Sequence, residues 1–271
     1  MVDNLRHLDE TSNKLLKGGH VREAIYCINF ALQRRKELFG NSHAFNLSCL
    51  NSAATFIHIA MNPNHDMNTK SRISLLGRAE ELSQSNDMSK IVVWYNLAKL
   101  HQLENDLKLA YKYLKMALGS KSSQRECNDH QLSIELHLNM ASILSKLNKH
   151  KMSLCHAKVA LALVEEYIAN EQEQQVLRKE KIDGREEDST HIMVSLENIS
   201  RNWLEILAVS YYNVGTQYEH LKDLKASSDA YECGVKVAAL LIGDCDIKRE
   251  LEVAHQDLKT RMIDDEATND D

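Results

Sequence analysis

Four asparagines recur at one position of a repeated helical pattern, and they carry the clearest binding chemistry in the chain. Each lies two residues before a small residue, in the first helix of a predicted helical hairpin. They are Asn51, Asn96, Asn139 and Asn213. A carboxamide donates and accepts hydrogen bonds, so a row of carboxamides can bind the backbone of an extended peptide with little demand on its sequence. The alternative is that each asparagine stabilises helices or turns within the protein itself.

The residues beside the asparagines describe the surface that such a peptide would meet. Positions one before and three after each asparagine hold Leu50, Tyr95, Leu138 and Tyr212, followed by Ala54, Lys99, Ser142 and Thr216. Two tyrosines, two leucines and one lysine make a mixed, moderately apolar groove. We therefore expect a peptide-binding site that comprises Asn51, Tyr95, Asn96, Lys99, Asn139, Tyr212 and Asn213.

Residue types used in catalysis are abundant, but no motif brings them together. Nucleophilic catalysis needs a serine or cysteine held beside a histidine and a carboxylate, and no nucleophile elbow or glycine-rich loop presents them here. The phosphate-loop, zinc-protease and calcium-loop motifs do not occur. His150 and His156 are six residues apart and fall on different faces of a helix, which argues against a metal site. The sequence predicts no enzyme, no cofactor and no bound metal.

The composition favours a helical protein with a core of its own. A single proline and nine glycines among 271 residues predict almost entirely helix, because sheet-rich chains need turn residues far more often. The net charge of −6 is spread along the chain, so no basic face marks a nucleic-acid partner. No apolar run reaches membrane-spanning length, and the N-terminus lacks the apolar core of a signal peptide. Six cysteines form no CxxC pair, which is typical of reduced, buried thiols in an intracellular protein.

Residues 90–117 are the best-formed copy of the helical hairpin. The apolar face of its first helix carries Trp94, Leu97, Ala98 and His101, and its second helix repeats the spacing with Ala110, Leu114 and Ala117. These residues fall at helical intervals on one face. Because helices approach closely only where side chains are small, we expect the alanines to meet at the crossing. One hairpin cannot bury its apolar face alone, so the pattern predicts neighbours of the same kind.

The chain supplies these neighbours at a nearly constant period. The close-approach residues of the five first helices are Ser12, Ala53, Ala98, Ala141 and Gly215. The steps between them are 41, 45, 43 and 74 residues, and the last equals one period plus 31 inserted residues. Self-similarity of this kind indicates a helical solenoid.

These repeats resemble the tetratricopeptide repeat, in a long form similar to that of kinesin light chain. The likeness rests on the 94–117 pattern, its copy at Tyr211, Val214, Gly215 and Tyr218, and the Leu-Phe-Gly and Leu-Ile-Gly helix endings. HEAT repeats have a similar period but lack the paired small residues, and rank second. The resemblance implies an all-α, right-handed α-α superhelix whose concave face carries the asparagines. Ser153, Ser227 and Gly234 depart from the alanines that the family favours.

The predicted organisation is five hairpins with one insertion and a C-terminal cap. The hairpins cover about 5–38, 42–84, 87–119, 129–167 and 205–242, within an array spanning 1–242. Residues 168–204 form either two overlong antiparallel helices or a loop after a helix that ends near Tyr167. A capping helix at 246–262 and an acidic, disordered tail at 263–271 complete the chain. Ser42 and Asp87 are expected to cap the first helices of the second and third hairpins.

The sequence therefore predicts a non-catalytic adaptor or scaffold for protein-protein interaction, with an extended peptide or partner helix in its groove. The alternative is a structural subunit of a larger cytoskeletal or ciliary assembly that contacts its partners through residues 168–204. Chaperone C-terminal peptides are not expected to bind, because the carboxylate clamp that binds them has basic residues where this chain has Asp9, Val92 and Asn96. The expected location is intracellular and cytoplasmic, without membrane insertion. The partner's identity and the oligomeric state stay open.

Overall fold

The computed structural model describes residues 2–83, 86–120, 130–183, 199–241, 243 and 245–269. Within those ranges the regular structure is entirely α-helical. The chain divides into two compact units, Met1–Cys127 and Asn128–Asp271. The all-α class predicted from the sequence is confirmed, and each unit is described by itself below.

The first unit contains three helical hairpins. Its helices are α1 (Val2–Lys17), α2 (Val21–Phe39), α3 (His43–Met61), α4 (Thr69–Leu82), α5 (Asp87–Leu103) and α6 (Leu107–Leu118). Helices of one hairpin pack together, and α2 packs on α3, α4 on α5 and α3 on α5. The hairpins are thus stacked in chain order, as in a helical solenoid.

The second unit contains two hairpins and a final helix. Its helices are α7 (His130–Lys146), α8 (His150–Asp183), α9 (Arg201–His220), α10 (Leu224–Ala238) and α11 (Asp246–Asn269). Here α8 packs on α9, α10 on α11 and α7 on α9, which repeats the stacking of the first unit. Leu251 and Leu258 of α11 are fully buried while the residues around them are exposed. The final helix therefore has one apolar face and one polar face, as a capping helix requires.

The predicted close-approach residues are buried in every hairpin. Ser12, Ala53, Ala98, Ala141 and Gly215 all lie inside the packed helices. The two helices of the fifth hairpin approach closely at Gly215, where an added Cβ would lie 2.5 Å from Cε1 of Tyr231. The spacing of small residues in the sequence thus identified a buried position in each of the five hairpins, and at Gly215 a close approach of two helices.

Two of the departures from the family pattern have a structural reason. Ser153 and Ser227 are fully buried, each twelve residues after the close-approach residue of its hairpin. The Ser153 hydroxyl donates to the carbonyl oxygen of Ala141 at 2.7 Å, and the Ser227 hydroxyl donates to that of Gly215 at 2.9 Å. A serine here fits the space of an alanine and adds a hydrogen bond between the two helices.

Four of the five hairpin turns share one backbone conformation. The residue seven positions after the close-approach residue has a positive φ: 78° at Gly19, 59° at Asn105, 55° at Asn148 and 63° at Lys222. Glycine and asparagine tolerate this left-handed conformation best. In each turn the next amide donates to the carbonyl five residues earlier, as from Asp106 to His101 at 2.8 Å. These hydrogen bonds close the end of each first helix.

The second hairpin has a longer turn, which is held by one arginine. Arg72 lies seven residues before Ala79, at the position that is alanine or serine in the other hairpins. Its guanidinium donates to the carbonyl oxygens of Ala60 (2.6 Å), Asn62 (3.0 Å), His65 (2.9 Å) and Met67 (2.9 Å). These contacts replace the left-handed turn residue and also satisfy carbonyls at the end of α3.

Several predicted boundaries are corrected. The cap of α5 is Asn86, whose side chain accepts from the Ser89 amide at 2.9 Å, rather than Asp87. The predicted cap at Ser42 is confirmed by a hydrogen bond from the Phe45 amide at 3.3 Å. Asn86 precedes Asp87 and is in an extended conformation, which suits a side chain that bonds the first turn.

The helix α8 does not end near Tyr167 but continues to Asp183, because no glycine or proline interrupts residues 168–183. Residues 184–198, the rest of the predicted projecting hairpin, lie outside the described residues. The following helix begins at Arg201 after an extended Ser200, so Ile199 precedes it rather than belonging to it. Likewise α11 passes the predicted end at residue 262 and reaches Asn269. Against the prediction of buried thiols, Cys155 and Cys233 are exposed.

Candidate functional site

Three of the four predicted asparagines make the same hydrogen bond. The Nδ2 atom donates to the carbonyl four residues earlier in its own helix, from Asn96 to Val92 at 2.8 Å. The equivalent bonds run from Asn139 to Glu135 at 2.8 Å and from Asn213 to Val209 at 2.9 Å. Short polar side chains compete with the backbone in this way. The bond uses one of the two N–H donors of each carboxamide and fixes its orientation.

The predicted site residues differ in how far a partner could reach them. Asn51 and Lys99 are exposed, whereas Asn139, Tyr212 and Asn213 are half-buried. Asn96 and Tyr95 are only 9% and 8% exposed. The Lys99 ammonium lies 5.3 Å from the centre of the Tyr95 ring, within cation–π range. A partner on this side of α5 would therefore meet Lys99 before it met Asn96.

In the first unit, Asn51 lies in a small polar cleft between α1 and α3, which we call the α1–α3 cleft. Its volume is about 240 Å³, and it is lined mainly by Asp9, Ser12, Asn13, Arg35, Ser48 and Asn51. Arg35 reaches over from α2 and forms an ion pair with Asp9. Sequence reasoning missed Arg35, because its partner is 26 residues away in the preceding helix. The cleft thus offers two carboxamides beside a neutralised charge pair.

In the second unit, Tyr212 lies in a larger cleft between α9 and α11, the α9–α11 cleft. Its volume is about 640 Å³, and it is lined by Tyr212, Thr216, Glu219, Tyr231 and the adjoining side of α11. The Tyr231 hydroxyl donates to Glu219 Oε2 at 3.0 Å, and Arg261 of α11 donates to Glu219 Oε1 at 2.5 Å. The network fixes one wall of the cleft and joins α11 to α9.

Burial and nearby charges raise the pKa of the two tyrosine hydroxyls in this cleft. Burial raises the pKa of Tyr231, and the Glu219 carboxylate raises it further while a hydrogen bond with Thr216 opposes both. Burial also raises the pKa of Tyr212, with Glu250 adding to the effect. Both phenols therefore stay protonated at neutral pH and serve as neutral hydrogen-bonding groups rather than as bases.

The structure brings only part of the predicted set together. Asn51 lines the α1–α3 cleft, but Tyr95, Asn96 and Lys99 are on α5, outside that cleft. The cleft in the second unit includes Tyr212 and not its neighbour Asn213. One continuous groove across all seven residues stays a prediction from the sequence.

Two pairs of histidines lie close together in the second unit. His137 Nδ1 and His156 Nδ1 are 2.9 Å apart between α7 and α8, and burial together with the His156 charge lowers the pKa of His137 to about 4. His150 stacks on His220 with ring centres 4.2 Å apart. Among the described residues, no group of three or more histidine, cysteine or acidic side chains could hold a metal ion. None of the helices within the described ranges is both long and apolar enough to cross a membrane.

The solved structures similar to this chain include two that are described as having TPR or TPR-like repeats. One from Podosopora anserina, described as a kinesin light chain with nearly identical TPR-like repeats, is 12% identical over 88% of this chain and 94% of its own, with a TM-score of 0.44. The MamA protein is 12% identical over 87% of this chain and 96% of its own, with a TM-score of 0.44. YrrB, described as a TPR protein with an unusual peptide-binding site, is 12% identical over 82% of this chain and 97% of its own, with a TM-score of 0.36. No protein-family model and no curated protein sequence matches the chain.

Proposed function

We propose that the protein is a non-catalytic interaction module that holds an extended segment of a partner on the side formed by the first helices of its hairpins. The observation that carries this proposal is that Asn96, Asn139 and Asn213 each make the same bond to the helix they belong to, which fixes each carboxamide relative to that helix. A side chain that is already ordered loses less conformational entropy when a partner binds. Three equivalent carboxamides therefore suit repeated hydrogen bonds along a peptide backbone.

In the first unit, the α1–α3 cleft also supports the proposal that an extended peptide binds. Asn13 and Asn51 face a common space there, and the Asp9 charge is already paired with Arg35. Because little net charge is left over, the cleft suits the neutral groups of a peptide backbone better than a charged side chain. Lys99 adds one exposed cation on α5 for an acidic or carbonyl-rich portion of the partner.

The test must separate binding from stabilisation, because the asparagines also bond their own helices. We compare Asn96→Ala/Asn139→Ala with Asn96→Ser/Asn139→Ser in pull-downs from the native cell. Serine can make the same bond to the fourth preceding carbonyl, as Ser48 does to Ala44 at 3.0 Å. It lacks the second N–H and the carbonyl oxygen of a carboxamide.

If the carboxamides bind the partner, both double variants retain their fold and lose about tenfold or more in affinity, which corresponds to one or two lost hydrogen bonds. If the asparagines are structural, the serine variant binds like wild type and only the alanine variant is impaired. Thermal unfolding followed by circular dichroism provides the control for folding.

A second candidate function is a structural subunit that contacts a larger assembly through the insertion at 168–204, which includes the C-terminal part of α8, in line with a cytoskeletal or ciliary role. The observation that favours it is the length of α8, 34 residues against 19 for α2. At 1.5 Å per residue, α8 is about 51 Å long. Gln172 is the last buried residue in the part of α8 whose side chains the structure describes, and it lies beyond the stack of Tyr167 on Trp203 at 3.9 Å. Deletion of residues 170–188 should leave peptide binding intact and abolish assembly.

A further inference from the structure

The first unit has a second groove on the opposite side, formed by the second helices of the first two hairpins. This α2–α4 groove consists of two clefts of about 760 and 830 Å³ that share Asn29 and Arg78 as lining residues. Leu32, Cys49 and Leu75, all less than 9% exposed, lie along its floor. None of the asparagines of the proposed peptide site lines it.

The groove is positively charged in a protein of net charge −6. Arg22, Lys36, Lys70 and Arg78 line it, against Asp66 and Glu81. Arg78 is already paired with Glu81 at 2.5 Å. Among the described residues, Arg22, Lys36 and Lys70 have no ion-pair partner.

The charges at one end converge on the floor of the groove. Burial raises the pKa of the Cys49 thiol, and the charges of Arg78 and Lys36 oppose that shift. Lys36 on α2, Arg78 on α4 and Cys49 line the same cleft. An acidic side chain placed above Cys49 would meet both of them.

Asn29, which lines both clefts, has an unsatisfied hydrogen-bond acceptor. Its Oδ1 is buried and makes no hydrogen bond within the described structure. An unsatisfied buried acceptor destabilises the free protein. The two arms of a carboxamide are nearly the same size, so rotation about the last torsion can turn the oxygen towards the groove and a partner N–H.

We propose that the α2–α4 groove binds an extended acidic peptide segment, independently of the peptide site on the first-helix side. Arg22 and Lys36 are fourteen residues apart in α2, which is about 21 Å along the helix axis. An extended segment of about six residues covers that length at about 3.3 Å per residue. Acidic residues at its two ends would face the basic residues at the two ends of the groove, and alternate apolar side chains would face the floor.

The test uses a fluorescein-labelled peptide of about eight residues with alternating glutamate and valine, long enough to cover the groove. Binding is measured by fluorescence anisotropy on the full chain. Wild type should bind, and Lys36→Glu/Lys70→Glu should bind at least tenfold more weakly. Lys108→Glu/Lys112→Glu is the matched control, because it makes the same charge change on exposed residues of α6, a helix that contributes no residue to the groove. The control should remain within about twofold of wild type, since charges more than a Debye length away are screened.

Asn29→Leu supplies a second, independent readout. It removes the orphaned acceptor and keeps the volume, so the variant should melt at a higher temperature than wild type and bind the acidic peptide several-fold more weakly. The proposal is overturned by equal losses in the two lysine double variants, by equal binding of a lysine–valine peptide, or by full competition from a single-stranded oligonucleotide. Absence of binding to wild type overturns it as well. The Asn96/Asn139 variants should bind this probe like wild type, which keeps this result separate from the proposed peptide site.

Discussion

Replacement of Gly215 by alanine should destabilise the second unit, although alanine is the better helix former. Gly215 is buried in the middle of α9, against the ring of Tyr231. A Cβ at this position would lie 2.5 Å from Cε1, 2.6 Å from Cδ1 and 3.1 Å from Cγ of that ring. The ring is only 1% exposed, and its hydroxyl is held by Glu219 at 3.0 Å. Tyr231 therefore has little room in which to move away.

Two opposing effects determine how much Gly215→Ala changes the free energy of unfolding. Overpacking a well-packed core by one methyl group costs about 1–3 kcal/mol. Alanine gains about 1 kcal/mol over glycine in a helix interior. Because the added Cβ would lie only 2.5 Å from the ring, the overpacking cost falls in the upper part of its range, about 2–3 kcal/mol. Subtracting the gain in helix propensity gives an expected net loss of about 1–2 kcal/mol in the free energy of unfolding of the second unit.

Gly77→Ala is the matched control. Gly77 is also inside a helix, α4, but an added Cβ would meet no atom within 4 Å. Only the gain in helix propensity applies there, so this variant should be stabilised by about 0.5–1 kcal/mol. The same chemical change is thus predicted to have opposite signs at the two positions.

Urea unfolding measures both effects, with one tryptophan as the reporter in each unit. Trp94 belongs to the first unit and Trp203 to the second. Replacing either by phenylalanine in the background isolates the fluorescence of the other. If Gly215→Ala stabilised the second unit as much as Gly77→Ala stabilises the first, the close approach of α9 and α10 at Gly215 would be refuted.

Three further predictions concern other features of the hairpins. Lys222→Gly should raise stability by about 0.5–1 kcal/mol in urea unfolding, because Lys222 has a φ of 63° that glycine adopts without strain. Ser227→Ala should lower it by about 1 kcal/mol through loss of the 2.9 Å bond to Gly215; an unchanged urea midpoint would show that this bond contributes nothing. For the His137–His156 pair the folded pKa of His137, about 4, lies below the unfolded value of 6.5. The unfolded chain therefore binds the extra proton first, and stability present above pH 6.5 is lost as the pH falls towards 4. His137→Gln should flatten that part of the pH profile, and an unaltered profile would contradict the assignment.

The positions of the helix crossings could be predicted from the sequence because they depend on local, periodic information. Small residues at a fixed period mark where two helices can touch, and Ala53, Ala98 and Ala141 are buried as expected. The turn residues follow the same logic, since Asn105 and Asn148 are of the type that tolerates a positive φ.

The contacts that the sequence did not reveal are individual side-chain hydrogen bonds, which the spacing of small and apolar residues does not specify. In the sequence Ser153 is only a departure from the alanine of the family pattern, whereas in the structure its hydroxyl donates to the carbonyl oxygen of Ala141. The long second turn depends on Arg72, whose four acceptors lie between five and twelve residues earlier. Nothing in the spacing of Asn96 distinguished an outward carboxamide from one bonded to its own helix, although asparagine in a helix interior often makes that bond.

Site-specific photocrosslinking tests the central claim most directly, that a partner lies on the first-helix side. A photoreactive phenylalanine analogue is placed at Asn51, Lys99 or Tyr212 in separate variants, and at Met152 of α8 as an exposed control. After irradiation with the native cell extract, crosslinked peptides are identified by mass spectrometry. The prediction is that one partner segment is captured from the three first-helix positions and not from Met152. Capture of the partner from Met152 alone, or equally from all four positions, would contradict it.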